Sequence, residues 1–339
     1  MSNTIRAYAA TEAKGAFKTF EYKAEALNPE QVEIKVEHCG ICHSDLSMLD
    51  NEWGRTVYPF VPGHEIVGIV SATGAQVKGV KAGDRVGLGW ISNSCMHCGQ
   101  CLGGDHHLCM AKEETIVGRY GGFAESVRCH WSWAVKVPPA LQHDKAGPLF
   151  CGGVTVFTPI LEYVRPEHRV GVIGIGGLGH MALQFLGKWG CEVTAFTSSD
   201  NKREEAMTLG AHHVVSSKDA AAMKKLTAQL DFILVTANVA MDWALFLRLL
   251  RPRGRLHFVG AVIEPLSNVG PRHLFSQKDI SGSPVGSPTA TATMLEFAAR
   301  HNLAPMIESF AMSDVNNAME RLRSGKARYR VLLRNDFKS

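Results

Sequence analysis

The sequence predicts an α/β protein in which a β-rich first part is followed by a doubly wound parallel sheet. In the first part, the segment QVEIKVEHCG alternates apolar and polar residues, which is the period of a half-buried strand. Glycines recur there at short intervals, as they do where tight turns join short strands. From about residue 145 onward, apolar strands alternate with helical segments, which is typical of a parallel sheet with helices on both faces.

The individual elements follow this plan in chain order. RVGVIGIGGLGHMALQFLGKWG predicts a strand, a glycine-rich turn and a helix, and CEVTAFTS predicts the next strand. KREEAMTLGA then predicts a helix that ends at glycine, and HHVVS, DFILVT and RLHFVGA predict further strands. TATATMLEFAARHNL and DVNNAMERLRSGKA predict two late helices, followed by a final strand at YRVLLR.

The length of 339 residues is too great for one ordinary hydrophobic core and indicates about two domains. We predict a first domain at residues 1–145, with a cysteine-rich lobe at 92–112, and a doubly wound domain at residues 146–286. Residues 287–339 are expected to return to the first domain, which would make the doubly wound domain an insertion in the sequence.

The composition is that of a globular protein, with 45% hydrophobic and 20% charged residues. The net charge of +4 is small and there is no basic run, so a nucleic-acid partner is not expected. The N-terminal residues carry no apolar secretory segment, and no apolar stretch has the ~20 residues that span a bilayer. A cytoplasmic protein without a membrane partner is therefore expected.

The nine cysteines are an odd number and favour metal or catalytic thiols over a disulfide framework. Four of them, at paired two-residue spacings, predict a closed tetrahedral zinc site with a structural role: Cys95, Cys98, Cys101 and Cys109. An iron–sulfur cluster is the alternative for four cysteines. The neighbouring His97, His106 and His107 are interpreted as exposed loop residues, because four thiolates already fill the metal shell.

A glycine-rich turn follows the apolar strand that begins at Val170 and opens the next helix. This strand–turn–helix setting is what makes the pattern typical of a Rossmann dinucleotide site, where glycines let the backbone approach the pyrophosphate. The residues predicted to contact the cofactor there are Gly174, Gly176, Gly177, Leu178 and Gly179.

The end of the following strand selects the nucleotide. NAD enzymes usually place a carboxylate there, whereas this chain has Thr197, Ser198 and Ser199, with Lys202 and Arg203 shortly after. Hydroxyls and a cation suit a 2′-phosphate through charge-assisted hydrogen bonds, so NADP(H) is the predicted cofactor. Asp200 could cap the next helix or bind ribose.

Two further cysteines and a histidine could form a second metal site. Cys151, His64 and one thiol of the pair Cys39 and Cys42 together supply the two thiolates and one imidazole of a catalytic zinc, whose fourth position stays open. Each of these residues alone would be a weak signal.

Several segments of the first 90 residues together resemble a known signature: Gly63-His64-Glu65, Gly68, Gly74, Val77 and Gly83-Asp84-Arg85-Val86. The pattern resembles that of zinc-containing medium-chain alcohol dehydrogenases, whose structural zinc lies where the four-cysteine lobe falls. CGICHSDL, YPFVPGHE, GGFAES, CGGVTVF and GIGGLGH are similar to the cinnamyl alcohol dehydrogenase-like branch. HSDLSM, DNEWG and GKARYRV resemble the broad-range, NADPH-dependent aldehyde reductases of enteric bacteria.

This resemblance implies a GroES-like catalytic domain, a Rossmann NADP-binding domain and two zinc ions per chain. It selects Cys42, directly before His-Ser-Asp, as the ligand beside His64 and Cys151. Asp45 would then orient His64 through its second ring nitrogen. Glu65 would either approach the zinc during ligand exchange or pair with an arginine.

The resemblance also implies the remaining cofactor and proton contacts. Ser44 would contact the reacting oxygen and begin a proton relay. Many relatives complete that relay with a histidine five residues after the catalytic cysteine, where this chain has Ser47, so water or the cofactor ribose would carry the proton. The other implied cofactor contacts are Thr155, Thr236, Gly260, Ser283 and Val285.

Trp53, Trp90 and Phe60 are expected to wall the substrate pocket and to favour hydrophobic aldehydes. The predicted function is NADPH-dependent reduction of a broad range of such aldehydes to primary alcohols, in a homodimer acting on small molecules. The alternatives are an NAD-dependent secondary-alcohol dehydrogenase, a zinc-free quinone reductase and a non-catalytic nucleotide sensor. Retention of all three ligands of the second site counts against the last two.

Overall fold

The computed structural model describes residues 4–198, 202–260, 262 and 264–337. The chain divides into two compact units, of which one holds the residues up to Cys151 together with those from Gly286 onward. The other unit is Gly152–Val285. In the part of the chain so described, no helix has the length and apolar character needed to cross a membrane.

The first unit begins with short strands and few helices, as predicted for this β-rich part. In β3 the residues Val32, Ile34 and Val36 are all buried, which is the alternation that the sequence shows. The elements up to residue 136 are β1 (Thr4–Ala9), β2 (Lys18–Lys23), β3 (Gln31–Ile41), α1 (His43–Leu49), β4 (Ile66–Thr73), β5 (Arg85–Leu88), β6 (Ile91–Asn93), α2 (Gly99–Leu102), β7 (Glu113–Glu114), β8 (Ser126–His130) and β9 (Val135–Lys136).

The second unit alternates helices and strands: α3 (Gly152–Tyr163), β10 (Arg169–Ile173), α4 (Gly179–Trp189), β11 (Glu192–Thr197), α5 (Arg203–Thr208), β12 (His213–Ser216), α6 (Ala220–Lys225), β13 (Leu230–Val235), α7 (Trp243–Leu249), β14 (Leu250–Phe258) and β15 (Asp279–Gly282). Its strands form one sheet in the order β12-β11-β10-β13-β14-β15, and every neighbouring pair is parallel. The predicted doubly wound sheet is therefore confirmed.

The core of this sheet explains why its strands are apolar along their whole length. Ile233, Leu234 and Val235 of β13 are each fully buried, since helices cover the sheet on its two sides. On one side, the ring of Trp243 packs edge-on against Phe258 with centroids 4.9 Å apart. Each such side chain contributes about 1.5–3 kcal/mol by its burial.

The last elements of the chain are α8 (Pro288–Arg300), β16 (Ile307–Ala311), α9 (Val315–Arg323) and β17 (Arg330–Arg334). They belong to the first unit, where a seven-stranded sheet has the order β16-β17-β3-β4-β5-β9 and β8 also pairs with β3. β17 runs antiparallel to β3 with Val331 opposite Ile41. This pairing places Arg330 beside the end of β3. The last residue of β3, Ile41, directly precedes Cys42.

Candidate active site and metal centres

The three residues proposed as ligands of the second metal site lie together in the first unit. The Sγ atoms of Cys42 and Cys151 are 3.8 Å apart, and Nε2 of His64 is 3.3 Å from Sγ of Cys151. All three side chains are buried, with 5%, 8% and 0% exposure for Cys42, Cys151 and His64. Two sulfur atoms and one ring nitrogen at this separation fit a single zinc ion with a further position for water or substrate.

The charges within this cluster stabilise one another. The hydrogen bond from the Cys151 thiol lowers the pKa of Cys42 well below its ordinary value. Burial alone would lower the pKa of His64, but the carboxylate of Asp45 and the sulfur of Cys42 together raise it. The site therefore favours a thiolate at Cys42, which is the form that binds a metal.

The carboxylate of Asp45 forms hydrogen bonds that fix the positions of His64 and Cys42 in the cluster. Its Oδ1 atom lies 3.0 Å from Nδ1 of His64 and accepts the backbone N–H of Gly63 at 2.9 Å. Its Oδ2 atom accepts the backbone N–H of Cys42 at 2.9 Å, which ties the start of α1 to the same carboxylate. Because Nδ1 faces Asp45, the Nε2 atom of His64 is directed at the two sulfur atoms.

Glu65 forms a buried ion pair with Arg330, and both side chains are almost without solvent contact. Burial raises the pKa of Glu65 to about 7, although the guanidinium of Arg330 opposes that rise. The Oε2 atom of Glu65 has no hydrogen-bond partner among the described residues, and one carboxylate oxygen of Glu65 lies within 4.8 Å of the other donor atoms of the cluster. Gly40 makes room for it, since a Cβ there would be 2.0 Å from Oε2.

Arg330 is the site residue that sequence reasoning did not identify. An arginine partner for Glu65 is one of the two expectations stated above, but the two residues are 265 positions apart. Only the pairing of β17 with β3 brings them together. No local pattern around Arg330 indicates this role.

Helix α1, which begins directly after Cys42, carries two serines, Ser44 and Ser47. The Oγ atom of Ser44 is 3.8 Å from Sγ of Cys42. Ser47 is 5% exposed and donates a hydrogen bond to Oε2 of Glu52 at 2.7 Å. Glu52 is another residue that sequence reasoning did not identify.

Aromatic side chains cover one side of the cluster. The ring of Trp90 meets His64 edge-on with centroids 4.9 Å apart, and Trp53 meets Trp90 in the same way at 6.0 Å. Trp53 is 39% exposed and Trp90 is half-buried, and their role as walls of a substrate pocket stays a prediction. Phe60 is buried and its backbone pairs with that of Ala10, and its place in the pocket wall stays a prediction.

The four cysteines of the lobe also lie together, with all Sγ atoms within 4.8 Å of one another. Backbone N–H groups of Cys95 and Cys98 donate to the sulfurs of Cys109 and Cys95, at 3.5 and 3.3 Å. Such donors stabilise thiolates, so the set fits a closed zinc site. The expectation that His107 is exposed was wrong, because the short 3-10 turn at residues 106–108 directs it inward.

In the second unit, the predicted cofactor residues lie at the carboxyl edge of the parallel sheet. β10 ends at Ile173, and Gly174 turns the chain with a φ of +88°. Gly179 opens α4, and a Cβ at Gly179 would lie 1.9 Å from the carbonyl oxygen of Gly174. A Cβ at Gly176 would meet only open space, which leaves the turn accessible to a phosphate at the amino end of the helix.

The residues predicted to select the nucleotide lie at the end of the neighbouring strand β11. Thr197 is buried at its last position and Ser198 follows it, exposed to solvent. The ammonium group of Lys202 donates to the carbonyl oxygen of Ile175 at 3.0 Å, so this cation lies against the glycine-rich turn. Ser199 lies outside the described residues. Arg203 differs from Lys202, since its guanidinium donates to the carbonyl of Val214.

The remaining predicted cofactor residues of this unit lie at or near the same edge. The Oγ1 atom of Thr236 donates to the carbonyl of Gly174 at 2.6 Å and thereby braces the turn. Gly260 follows β14, and Ser283 follows β15 with its hydroxyl 2.9 Å from Nε2 of His257. Val285, the last residue of the unit, lies three residues beyond the end of β15, and Thr155 is the exception, buried in α3, which packs against α4.

Comparison with known proteins identifies the family. The family model described as alcohol dehydrogenase GroES-like domain matches residues 28–139, and the one described as zinc-binding dehydrogenase matches residues 177–300. An aldehyde reductase from Synechocystis sp. is 53% identical over 331 residues, covering 97% of this chain and 98% of that protein. The chain belongs to the zinc-binding alcohol dehydrogenase family.

Solved structures are similar to this alcohol dehydrogenase over nearly their whole length. A cinnamyl alcohol dehydrogenase from Sorghum bicolor matches it with a TM-score of 0.93 at 37% identity, covering 99% of both chains. A cinnamyl alcohol dehydrogenase from Helicobacter pylori, solved in complex with NADP(H), matches with a TM-score of 0.88 at 29% identity, covering 98% and 99%. The predicted cinnamyl alcohol dehydrogenase-like branch and the predicted fold are thereby confirmed.

Proposed function

We propose that this alcohol dehydrogenase reduces a broad range of hydrophobic aldehydes to primary alcohols with NADPH, at a zinc ion held by Cys42, His64 and Cys151. The observation that carries the proposal is the buried cluster of two sulfurs and one ring nitrogen, oriented from behind by Asp45. The aldehyde reductase and cinnamyl alcohol dehydrogenases among its relatives support the same reaction class.

The donor set fits zinc in its chemistry as well as its spacing. Thiolate and imidazole are zinc ligands, and a three-residue set leaves a position open to substrate. A zinc ion there would supply a Lewis acid for the carbonyl oxygen. Hydride for the carbonyl carbon would come from the nicotinamide of NADPH.

The residues of this chain then have distinct tasks. Asp45 fixes the tautomer of His64 and keeps Nε2 available to the metal. Ser44, beside Cys42, is placed to hydrogen-bond the reacting oxygen. Glu65, which has a free carboxylate oxygen near the cluster, would supply an additional donor when ligands exchange, and Arg330 keeps its charge compensated.

The preference for NADPH rests on the end of β11. Among the described residues, the strand end offers the hydroxyls of Thr197 and Ser198 and the ammonium of Lys202, and no carboxylate. These groups would bind a 2′-phosphate by charge-assisted hydrogen bonds, whereas a carboxylate would repel it. The relative from Helicobacter pylori that was solved with NADP(H) supports this choice.

The aromatic pair Trp53 and Trp90 underlies the proposed substrate class. Trp90 contacts the ring of His64, so an aldehyde whose oxygen reached the metal would place its carbon chain against these two indoles. Apolar walls of this kind favour hydrophobic chains over small polar ones.

The proposed working assembly is a homodimer. Measurement of the mass of the purified protein in solution would test it.

The four-cysteine lobe is proposed to hold a second zinc ion with a structural role. Its four sulfurs fill a tetrahedral shell and leave no position for substrate. Zinc analysis of the purified protein is therefore expected to give two ions per chain. A zinc-free quinone reductase would give none.

Two cysteines near the cluster offer a matched test of the proposed function. Cys39 is fully buried, and burial raises the pKa of its thiol well above the ordinary value. Cys39 therefore stays a neutral thiol that packs in the core. Cys42→Ala is expected to lose one zinc ion and all measurable aldehyde reduction, whereas Cys39→Ala keeps both. Equal loss of zinc and activity in the two variants would show that the metal site is wrongly assigned.

A further inference from the structure

The loop that follows α1 carries Trp53 and is closed by its own hydrogen bonds. The backbone N–H of Thr56 donates to Oδ1 of Asn51 at 3.1 Å, and that of Gly54 donates to the carbonyl of Asn51 at 3.1 Å. The hydroxyl of Thr56 also donates to the carbonyl of Met48 at 2.6 Å, in the last turn of α1. These bonds fix the shape of the loop, so a contact that holds the loop also positions the indole of Trp53.

Strand β7 and the residue after it contact both partners of the aromatic pair. Glu114 forms an ion pair with Arg55, which lies two residues after Trp53 in the loop. Thr115 directly follows Glu114, and its backbone N–H donates to the carbonyl of Trp90 at 2.7 Å. One short segment of chain thus holds Trp53 through Arg55 and holds Trp90 through Thr115.

The two indoles lie in a row that leads away from the metal cluster. Trp90 meets the ring of His64 with centroids 4.9 Å apart, and Trp53 meets Trp90 at 6.0 Å. An aldehyde whose carbonyl lay at the cluster would extend its chain first along Trp90 and then along Trp53. A short chain would therefore contact only Trp90, whereas a longer one would also gain the apolar surface of Trp53.

The ion pair between Arg55 and Glu114 is partly exposed to solvent, with side-chain exposures of 46% and 14%. Pairs of this kind contribute little to the stability of a fold, so its removal leaves the unit folded and changes mainly what the pair holds in place. Glu113, the preceding residue of β7, also forms an ion pair, but its partner is Arg119, which is not part of the loop. Glu113 is therefore a matched control for Glu114.

We propose that Arg55 and Glu114 are positioning residues that hold Trp53 beside Trp90 and thereby make the enzyme prefer long-chain aldehydes, an inference that rests on the proposed function. Without the ion pair, the loop and its indole separate more easily from Trp90. The far carbons of a long aldehyde then lose their apolar contact, while the carbonyl end at the cluster keeps its own. The loss falls on the binding of long chains rather than on hydride transfer.

Steady-state reduction of hexanal and propanal by the zinc-loaded enzyme with NADPH tests the inference. Arg55→Gln and Glu114→Gln are each expected to raise the ratio of the KM for hexanal to the KM for propanal by about two- to fivefold, without a matching fall in kcat. Glu113→Gln should keep the wild-type ratio. Exchange of the two charges in the double variant Arg55→Glu with Glu114→Arg should restore the ratio, which a general disturbance of the fold would not allow.

Acrylamide quenching of tryptophan fluorescence reports on Trp53 without turnover. Among the described tryptophans, Trp53 is the most exposed to solvent, and subtraction of the signal of a Trp53→Phe counterpart isolates its emission. Both glutamine variants are expected to make Trp53 easier to quench, and the charge exchange should reverse this.

Two results would overturn the inference alone. One is a wild-type KM ratio in Arg55→Gln and Glu114→Gln, whatever the quenching shows. The other is an equal change of that ratio in Glu113→Gln. In either case the enzyme still reduces both aldehydes, so the proposed function stands. A zinc-loaded wild-type protein that reduces neither aldehyde would overturn the proposed function and this inference with it.

Discussion

The Nδ1 atom of His64 lies 3.0 Å from Oδ1 of Asp45, and both side chains are completely buried. The same carboxylate also accepts backbone N–H groups from Gly63 and Cys42. One acidic side chain thus positions both the histidine and a cysteine of the metal cluster. Because it positions two of the proposed ligands, we expect Asp45 to contribute strongly to zinc affinity.

Asp45→Asn is expected to weaken zinc binding at the cluster by about 10- to 100-fold, with a parallel loss of activity at limiting zinc. The amide removes the negative charge and can no longer accept all three hydrogen bonds. Competition with a chromophoric chelator measures the affinity. Asp144→Asn, at an exposed aspartate, serves as the control and should bind zinc as wild type does. Unchanged affinity in Asp45→Asn would show that the contact with His64 is incidental.

Cys98→Ser in the lobe is expected to lower the zinc content from two ions to one and to lower the unfolding temperature. The described residues of the lobe have little regular structure beyond the four-residue helix α2 and the 3-10 turn at residues 106–108, so a bound metal is expected to hold the lobe together. Elemental analysis and a thermal melt measure the two effects. Cys191→Ala alters a buried cysteine of the other unit and should keep both ions. A variant at Cys98 that keeps two zinc ions would contradict the structural site.

Lys202→Ala is expected to weaken NADPH binding by about 10- to 100-fold, since hydrogen bonds to charged groups contribute about 1.5–3 kcal/mol. Binding of NADH, which lacks the 2′-phosphate, should change little. Dissociation constants from the quenching of protein fluorescence provide the measurement. Arg203→Ala is the matched control, because its guanidinium donates to Val214 and should affect both nucleotides alike. Equal losses for both nucleotides in Lys202→Ala would mean that the lysine does not meet the 2′-phosphate.

Arg330→Met is expected to destabilise the first unit by about 3–5 kcal/mol, because it leaves the buried carboxylate of Glu65 without its compensating charge. The double variant Glu65→Gln with Arg330→Met should recover part of that loss. Denaturant unfolding measures both. Arg323→Met breaks the more exposed pair with Asp50 and is expected to cost at most about 1 kcal/mol. A similar loss at both arginines would contradict the assignment of a buried pair.

The parts of the site that the sequence predicts best are those whose residues lie close together in the chain. The four cysteines from Cys95 to Cys109 span one loop, and their spacing is itself the evidence of a metal site. The turn from Gly174 to Gly179 is likewise local, and its strand and helix are recognisable on either side. Local periodicity also predicted the alternation of strands and helices in the second unit.

The parts that the sequence predicts poorly depend on tertiary contacts. Cys42 and Cys151 are 109 positions apart, and residue types alone left Cys39 and Cys42 both open until the family resemblance selected Cys42. Arg330, which pairs with Glu65, lies on β17, the last strand of the described residues. The burial of Phe60, whose backbone bridges to Ala10, likewise depends on a contact between segments 50 positions apart.

The most direct test of the account is a steady-state assay of the zinc-loaded enzyme with a panel of aldehydes and either NADPH or NADH. Hydrophobic aldehydes should be reduced with a kcat/KM at least about tenfold higher for NADPH than for NADH, a difference of ~1.4 kcal/mol. A wide preference for NADH would contradict the assignment of Thr197, Ser198 and Lys202. Absence of turnover with both nucleotides would contradict the proposed enzyme itself.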